Sequence, residues 1–154
     1  MKRSIKISLA VLIAGLIVIQ FFQPQRNKGE AFTEKDLVIQ TGAPRQVAIL
    51  LTTSCYDCHS NHTNYPWYNR FAPVSWFLGN HINRGKDALN LSNWGTLQKQ
   101  ERIGILADIC DEIESGSMPL KSYLLVHRGA KPDDTDIEMV CNWTELEALR
   151  ILKE

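Results

Sequence analysis

The sequence predicts an all-α fold: one helical domain carried behind a single N-terminal apolar helix. Three observations predict it. Apolar residues recur at helical spacing in four separate stretches between Pro44 and Leu149. No strand-like alternation of useful length interrupts them, and no internal repeat is present. The chain opens with an uncharged run of 19 residues, Ile7 to Gln25, and its 154 residues suit one domain of ordinary size.

Lys2, Arg3 and Lys6 precede that run, the order of a signal peptide or signal anchor. Its almost wholly apolar part, Ile7–Phe22, covers about 24 Å as a helix. That is short of a hydrocarbon core of roughly 30 Å, yet workable with snorkelling flanks. No small-x-small cleavage site directly follows. Gly29-Glu30-Ala31 has the spacing but lies downstream and carries a charge, so retention is expected. Residues 1–25 are read as a signal anchor or transmembrane segment, 26–43 as a polar linker with Gly29 and Gly42, and 44–154 as the folded domain.

Pro44 fits the first turn of a helix running through Val47-Ala48-Ile49-Leu50-Leu51 towards Cys55. The stretch Ser60–Pro66 is rich in turn formers and ends this element. Pro73 opens the next helix, with Val74, Phe77, Leu78, His81, Ile82, Gly85 and Leu89 expected on one apolar face. Trp67, Trp76 and Trp94 fall in this half and read as core or cofactor-wall aromatics. Ile103, Leu106, Ile109, Cys110 and Ile113 form a third stripe, stopped by Gly116 at a C-cap position. A last helix follows, with Thr135 and Glu138 at capping-box spacing and Ile137, Val140, Cys141 and Leu149 along it. Cys110 and Cys141 each sit on an apolar face and read first as small buried hydrophobes that need no function, with a disulfide in an oxidising compartment as the alternative.

The most informative stretch is Cys55-Tyr56-Asp57-Cys58-His59. Two thiols three positions apart, followed at once by an imidazole, is the spacing that attaches a c-type haem. One helical turn lets both thiols reach neighbouring vinyl groups of a flat ring, and His59 then offers Nε2 to the iron. On this chain's composition the pattern arises by chance only about three times in a thousand. A zinc site would want a second ligand pair at short spacing, and none follows. A redox CxxC normally sits in a βαβ pattern, and there is none here. Haem is attached to such motifs outside the cytoplasmic membrane, which places the domain on the periplasmic side of a single-pass anchor.

A sixth ligand is expected from Gly116-Ser117-Met118-Pro119-Leu120. Electron carriers commonly hold iron between His and a Met thioether, and Met118 sits in a loop stiffened by Pro119. Met1 starts the chain and Met139 lies within a helix. The competitors are His81, on an apolar face, and the alternative that Met118 only fills a gap beside the haem. A proline carbonyl, that of Pro73 or Pro66, is expected to orient His59 through Nδ1–H.

Formal charge is zero, with 17 basic and 17 acidic side chains. Five of the basic ones lie in residues 1–28, which hold no acid, leaving 12 against 17 in the rest, a balance of −5. An acidic domain argues against nucleic acid, whose binding rests on phosphate neutralisation. It suits a redox partner protein with a basic docking face.

Several stretches together resemble a family: Cys55–Asn61, Tyr65-Pro66-Trp67-Tyr68, Pro73-Val74-Ser75-Trp76, Leu89–Trp94 and Met118–Tyr123 are similar to the small bacterial haem-binding domain family with one CxxCH. The resemblance spans roughly Pro44 to Trp143 and implies a cytochrome-c-like, mainly helical haem domain in the cell envelope. It also implies a haem-edge position for His127, which stands behind His81 as a rival to Met118 for the iron.

The expected function is one-electron transfer by a membrane-tethered monohaem cytochrome c rather than enzyme catalysis. Cys55 and Cys58 would hold one covalent haem c, with His59 and Met118 as axial ligands. The alternatives are a haem enzyme or sensor with an open distal site, peroxidase-like or gas-binding, and a haem that serves folding alone.

Overall fold

The apolar stripes become helices, and a computed structural model, which describes residues 2–154, fixes how they pack. In chain order they are α1 (Lys2–Val18), α2 (Leu37–Thr41), α3 (Arg45–Ser54), α4 (Tyr56–His59), α5 (Val74–Ala88), α6 (Lys99–Glu114), α7 (Lys121–Leu124) and α8 (Asp134–Leu152). Short 3₁₀ turns continue α1 at Ile19–Phe21 and occupy Trp67–Arg70, Leu91–Thr96 and Arg128–Ala130. Among the described residues the fold is all-α, and its one β contact is an isolated bridge between Lys28 and His62.

Arg3–Phe21 is long and apolar enough to cross a membrane, and a signal sequence has the same character. None of that span packs inside the protein, so its apolar surface needs a partner other than the domain core.

α6 and α8 form the most extensive helix pair. Their stripes meet through Leu106, Ile109 and Ile113 on one side and Val140, Trp143 and Ile151 on the other. α3 adds Val47, Leu50 and Leu51, and the 3₁₀ turn adds Leu91 and Trp94. Burying each such side chain is worth about 1.5–3 kcal/mol. A disulfide between Cys110 and Cys141 staples the pair, with Cα atoms 4.9 Å apart.

Caps set the ends. Glu101 accepts from the Gln98 backbone N–H at 2.7 Å to start α6. Gly116 ends it at φ +66°, the left-handed position where a Cβ is unfavourable. α8 begins earlier than the Thr135/Glu138 spacing suggests. Its reciprocal box is Asp133 and Asp136, at 3.1 and 2.8 Å, because Asp133 is extended and its carboxylate reaches forward to the Asp136 N–H.

Two expectations are corrected. The apolar stripe of α5 faces inward only in part. Ser75, Gly79 and Ile82 are buried, whereas Val74 and Phe77 are 43% and 56% exposed. Close packing is the reason: a Cβ at Gly79 would lie 3.1 Å from the Pro24 ring, leaving no room for a large residue on that side.

Residues 26–43 are not a free linker either. Asp36 and Leu37 are fully buried, and Leu37–Thr41 is helix α2. Upstream, Asn27 donates to the Ser60 carbonyl and the Thr63 hydroxyl at 2.8 and 2.9 Å. Gly29 N–H donates to the Asn61 carbonyl at 2.8 Å. The strap is bound by hydrogen bonds across more than 30 positions of sequence, which composition does not disclose.

Candidate haem site

α3 ends at Ser54, directly before the motif. Cys55 caps it, and the Cys55 carbonyl then accepts from the N–H of Cys58 and His59 at 3.1 and 2.9 Å. That single turn, α4, puts Cys55, Cys58 and His59 side by side. The ring of His59 is fixed from behind: Nδ1 lies 3.1 Å from the Leu89 carbonyl oxygen. A carbonyl only accepts, so Nδ1 carries the proton and the Nε2 lone pair is left for a metal.

Leu89 follows the last residue of α5, where carbonyls lack intrahelical partners. The imidazole uses one of them. The expected proline carbonyls are occupied elsewhere: Pro66 accepts from Asn69, and Pro73 from Trp76 and Phe77. Gly85 lets α5 approach this closely. A Cβ there would stand 2.7 Å from the Cys58 carbonyl oxygen. In the sequence Gly85 and Leu89 are only positions in an apolar stripe, and nothing local marks them as supports of the motif.

Two cavities flank His59. One, of about 350 Å³, is lined by Cys55, His59, Leu51, Leu91, Ile109 and Met118 among others. The second, of about 290 Å³, is lined by Cys58, His59, His81, Leu120, Tyr123 and Met118 among others. His59 and Met118 therefore border both, with one motif thiol in each. The Met118 backbone is held by its N–H donating to the Glu112 carbonyl at 3.0 Å. A wider hollow of about 780 Å³ lies beside Met118, between the end of α6, α7 and the start of α8. It contains none of the CxxCH residues, so the paired cavities are the better match for a ring tied to the motif.

The other predicted residues separate. His81 borders the second cavity, with Nδ1 2.9 Å from the Phe77 carbonyl and its ring against Phe77. His127 borders neither: it stacks on Tyr123 at 4.1 Å between ring centroids. Met139 packs against the α6–α8 core, and Met1 lies outside the described residues. The tryptophans do not wall the cavities. Trp94 is core, Trp67 is 74% exposed, and the Trp76 indole donates to the Phe22 carbonyl.

Burial pushes the Cys55 thiol up to about 12, helped by Cys58, and the Cys58 thiol up to about 11, helped by the Asp57 charge. Thiol–disulfide oxidoreductases need the opposite, a thiolate at neutral pH. Both cysteines carry free thiols, whereas Cys110 and Cys141 are joined to each other. Glu114 lies beside that pair, but a disulfide leaves no thiolate to hold a cation.

Asp57 and Tyr123 tie the methionine side to the motif side. The Tyr123 hydroxyl lies 2.9 Å from an Asp57 carboxylate oxygen and 3.0 Å from the Thr53 carbonyl. Burial first, then the Asp57 charge, raise the Tyr123 phenol, so it stays a donor. On the opposite side of the motif, Tyr56 donates to buried Asp36 at 2.7 Å.

The donor set fits haem: two thiols one helical turn apart, an imidazole with Nε2 available, a methionine lining the same two cavities, and mostly apolar walls. Fold and site together define an all-helical haem-binding protein. The sequence profile of the haem-binding domain family matches residues 14–146, and the chain belongs to that family, with haem as its cofactor. No curated protein and no solved structure matches the chain.

Proposed function

We propose that this protein is a membrane-tethered monohaem c-type cytochrome that carries single electrons in the cell envelope. The observation that carries the reading is the sharing of both cavities by His59 and Met118, with Cys55 in one and Cys58 in the other. Cys55 and Cys58 would form the two thioethers, His59 Nε2 and the Met118 sulfur the axial pair. Haem bound there supplies an iron that alternates between Fe(III) and Fe(II), one electron at a time.

The chain's own residues set the conditions. The Leu89 carbonyl holds His59 in the tautomer that ligates and makes its imidazole a stronger donor. Met118 would offer a soft thioether, a ligand that favours the reduced metal and competes with a diatomic one. Asp57 and Tyr123 hold the two flanks together, so little rearrangement accompanies a change of charge. The Cys110–Cys141 disulfide belongs to an oxidising compartment, in keeping with a domain outside the cytoplasm. Asp108 and Glu112 border the larger cavity and give a redox partner with a basic face a place to dock.

Two measurements test the reading. After acid–acetone treatment of protein made with a haem-attachment system, haem stays with the polypeptide; partition into the solvent overturns the c-type assignment. Ferrous protein exposed to CO keeps its spectrum. A CO adduct in the untouched protein moves the assignment to a sensor or enzyme with an open distal site.

A further inference from the structure

The apolar residues that α5 turns outward, Val74 and Phe77, continue into a larger surface. Trp67, Phe71 and Phe77 are 74%, 54% and 56% exposed, and Trp76 is 39% exposed. Trp67 meets Phe71 edge to face at 6.3 Å. A soluble helix normally hides such residues and exposes small ones. Here Ser75 and Gly79 are inside and the aromatics are outside.

That surface is fastened to the end of the apolar N-terminal helix. The Gln20 side-chain amide grips residue 72 from both sides, accepting from the Ala72 N–H at 2.9 Å and donating to its carbonyl at 3.1 Å. The Trp76 indole donates to the Phe22 carbonyl, and Pro24 seats against Gly79. Phe21 and Phe22 are themselves 83% and 66% exposed. The chain thus leaves the helix end and enters the aromatic surface with no free spacer between them.

Charge follows the same division. All 17 acidic residues lie in 30–57 and 87–154. The two segments that meet at this end, 1–29 and 58–86, hold none, and carry Arg26, Lys28, Arg70, Arg84 and Lys86 beyond the apolar helix. An aromatic surface that carries Arg70 in the same 3₁₀ turn as Trp67 and is continuous with a spanning helix has the chemistry of the membrane–water interface. There Trp rings sit at headgroup level and cations meet lipid phosphates.

We propose that the surface formed by Trp67, Phe71, Trp76 and Phe77 is embedded in the interfacial layer of the same bilayer that α1 crosses. The haem domain is then seated on the lipid at a fixed orientation and does not hang from a tether. The inference rests on the reading of α1 as a retained anchor.

Spin labelling of the full-length holoprotein in nanodiscs with anionic phospholipid tests it. Single cysteines are introduced as Trp67→Cys, Phe71→Cys or Phe77→Cys, with Val11→Cys within α1 and Leu146→Cys on α8 as references; an unchanged haem spectrum shows that each variant is folded. At 67, 71 and 77 the ratio of oxygen to nickel-chelate collisions is expected to lie several-fold above that at 146 and towards that at 11. If position 11 reports lipid while 67, 71 and 77 report water, the seated surface is wrong and the anchor stands; the aromatics then await a protein partner. If position 11 also reports water, the anchor reading has failed and the seated surface falls with it.

Discussion

The Nδ1 of His59 lies 3.1 Å from the carbonyl oxygen of Leu89, 30 residues further along the chain. This contact joins the CxxCH turn to the end of α5 and decides which imidazole nitrogen is free. Its persistence depends on how closely α5 approaches α4, and that is set at Gly85.

Gly85→Ala should therefore damage the site through packing. The new methyl would sit 2.7 Å from the Cys58 carbonyl, and overpacking of this kind costs about 1–3 kcal/mol. Lower holoprotein yield and a lower denaturation midpoint are expected. Gly104→Ala is the control: nothing lies within 4 Å of its Cβ on helix α6, so it should stabilise by about 0.4–1 kcal/mol. Equal losses from both variants would show that Gly85 has no special place.

Met118→Ala should abolish the weak near-infrared sulfur-to-iron band of the ferric protein and admit CO. Met118→His should keep six-coordination and lower the reduction potential, since imidazole favours Fe(III) more than a thioether does. His81 is the competitor, because it borders the cavity that Met118 and His59 share. If His81→Ala opens the iron to CO and Met118→Ala leaves the spectrum intact, ligation is bis-histidine. His127→Ala should change neither.

Loss of the disulfide should cost stability without changing the haem spectrum. The closed loop spans 31 positions, for which chain entropy gives about 3–4 kcal/mol. Guanidinium unfolding of the Cys110→Ala, Cys141→Ala double variant against wild type measures it. No change in midpoint would mean that the two thiols are not joined in the folded protein.

Asp36 should make stability fall as pH rises above the ordinary carboxyl value of 3.8. Burial is the largest cause and raises its carboxyl above the ordinary 3.8, against hydrogen bonds from Tyr56, Val38 and Ser92 that lower it. A raised folded value means the folded state keeps its proton longer. The contribution is therefore full below 3.8 and lost as pH climbs through the folded value. Asp36→Asn can still accept from the Tyr56 hydroxyl but does not titrate. Its stability relative to wild type should grow from pH 3 to pH 7 in denaturant titrations at fixed ionic strength, and a pH-independent difference would remove the carboxyl as the cause.

The sequence alone determined what is local. Helical spacing marked α3, α6 and α8, because an apolar stripe needs only the residues within a few turns to be recognised. The CxxCH turn was legible for the same reason: its chemistry is contained in five consecutive residues. Tertiary structure decided whatever depends on two distant segments meeting. It assigned Leu89, not a proline, to His59, and brought Met118 to the cavities that His59 borders. It turned Val74 and Phe77 of the α5 stripe outward, since Ser75 and Gly79 take the inward side, where Gly79 seats against the Pro24 ring. It also bound residues 26–43 to the domain through hydrogen bonds whose partners lie dozens of positions away. Periodicity records which face of an element is apolar, but only packing settles what that face will meet.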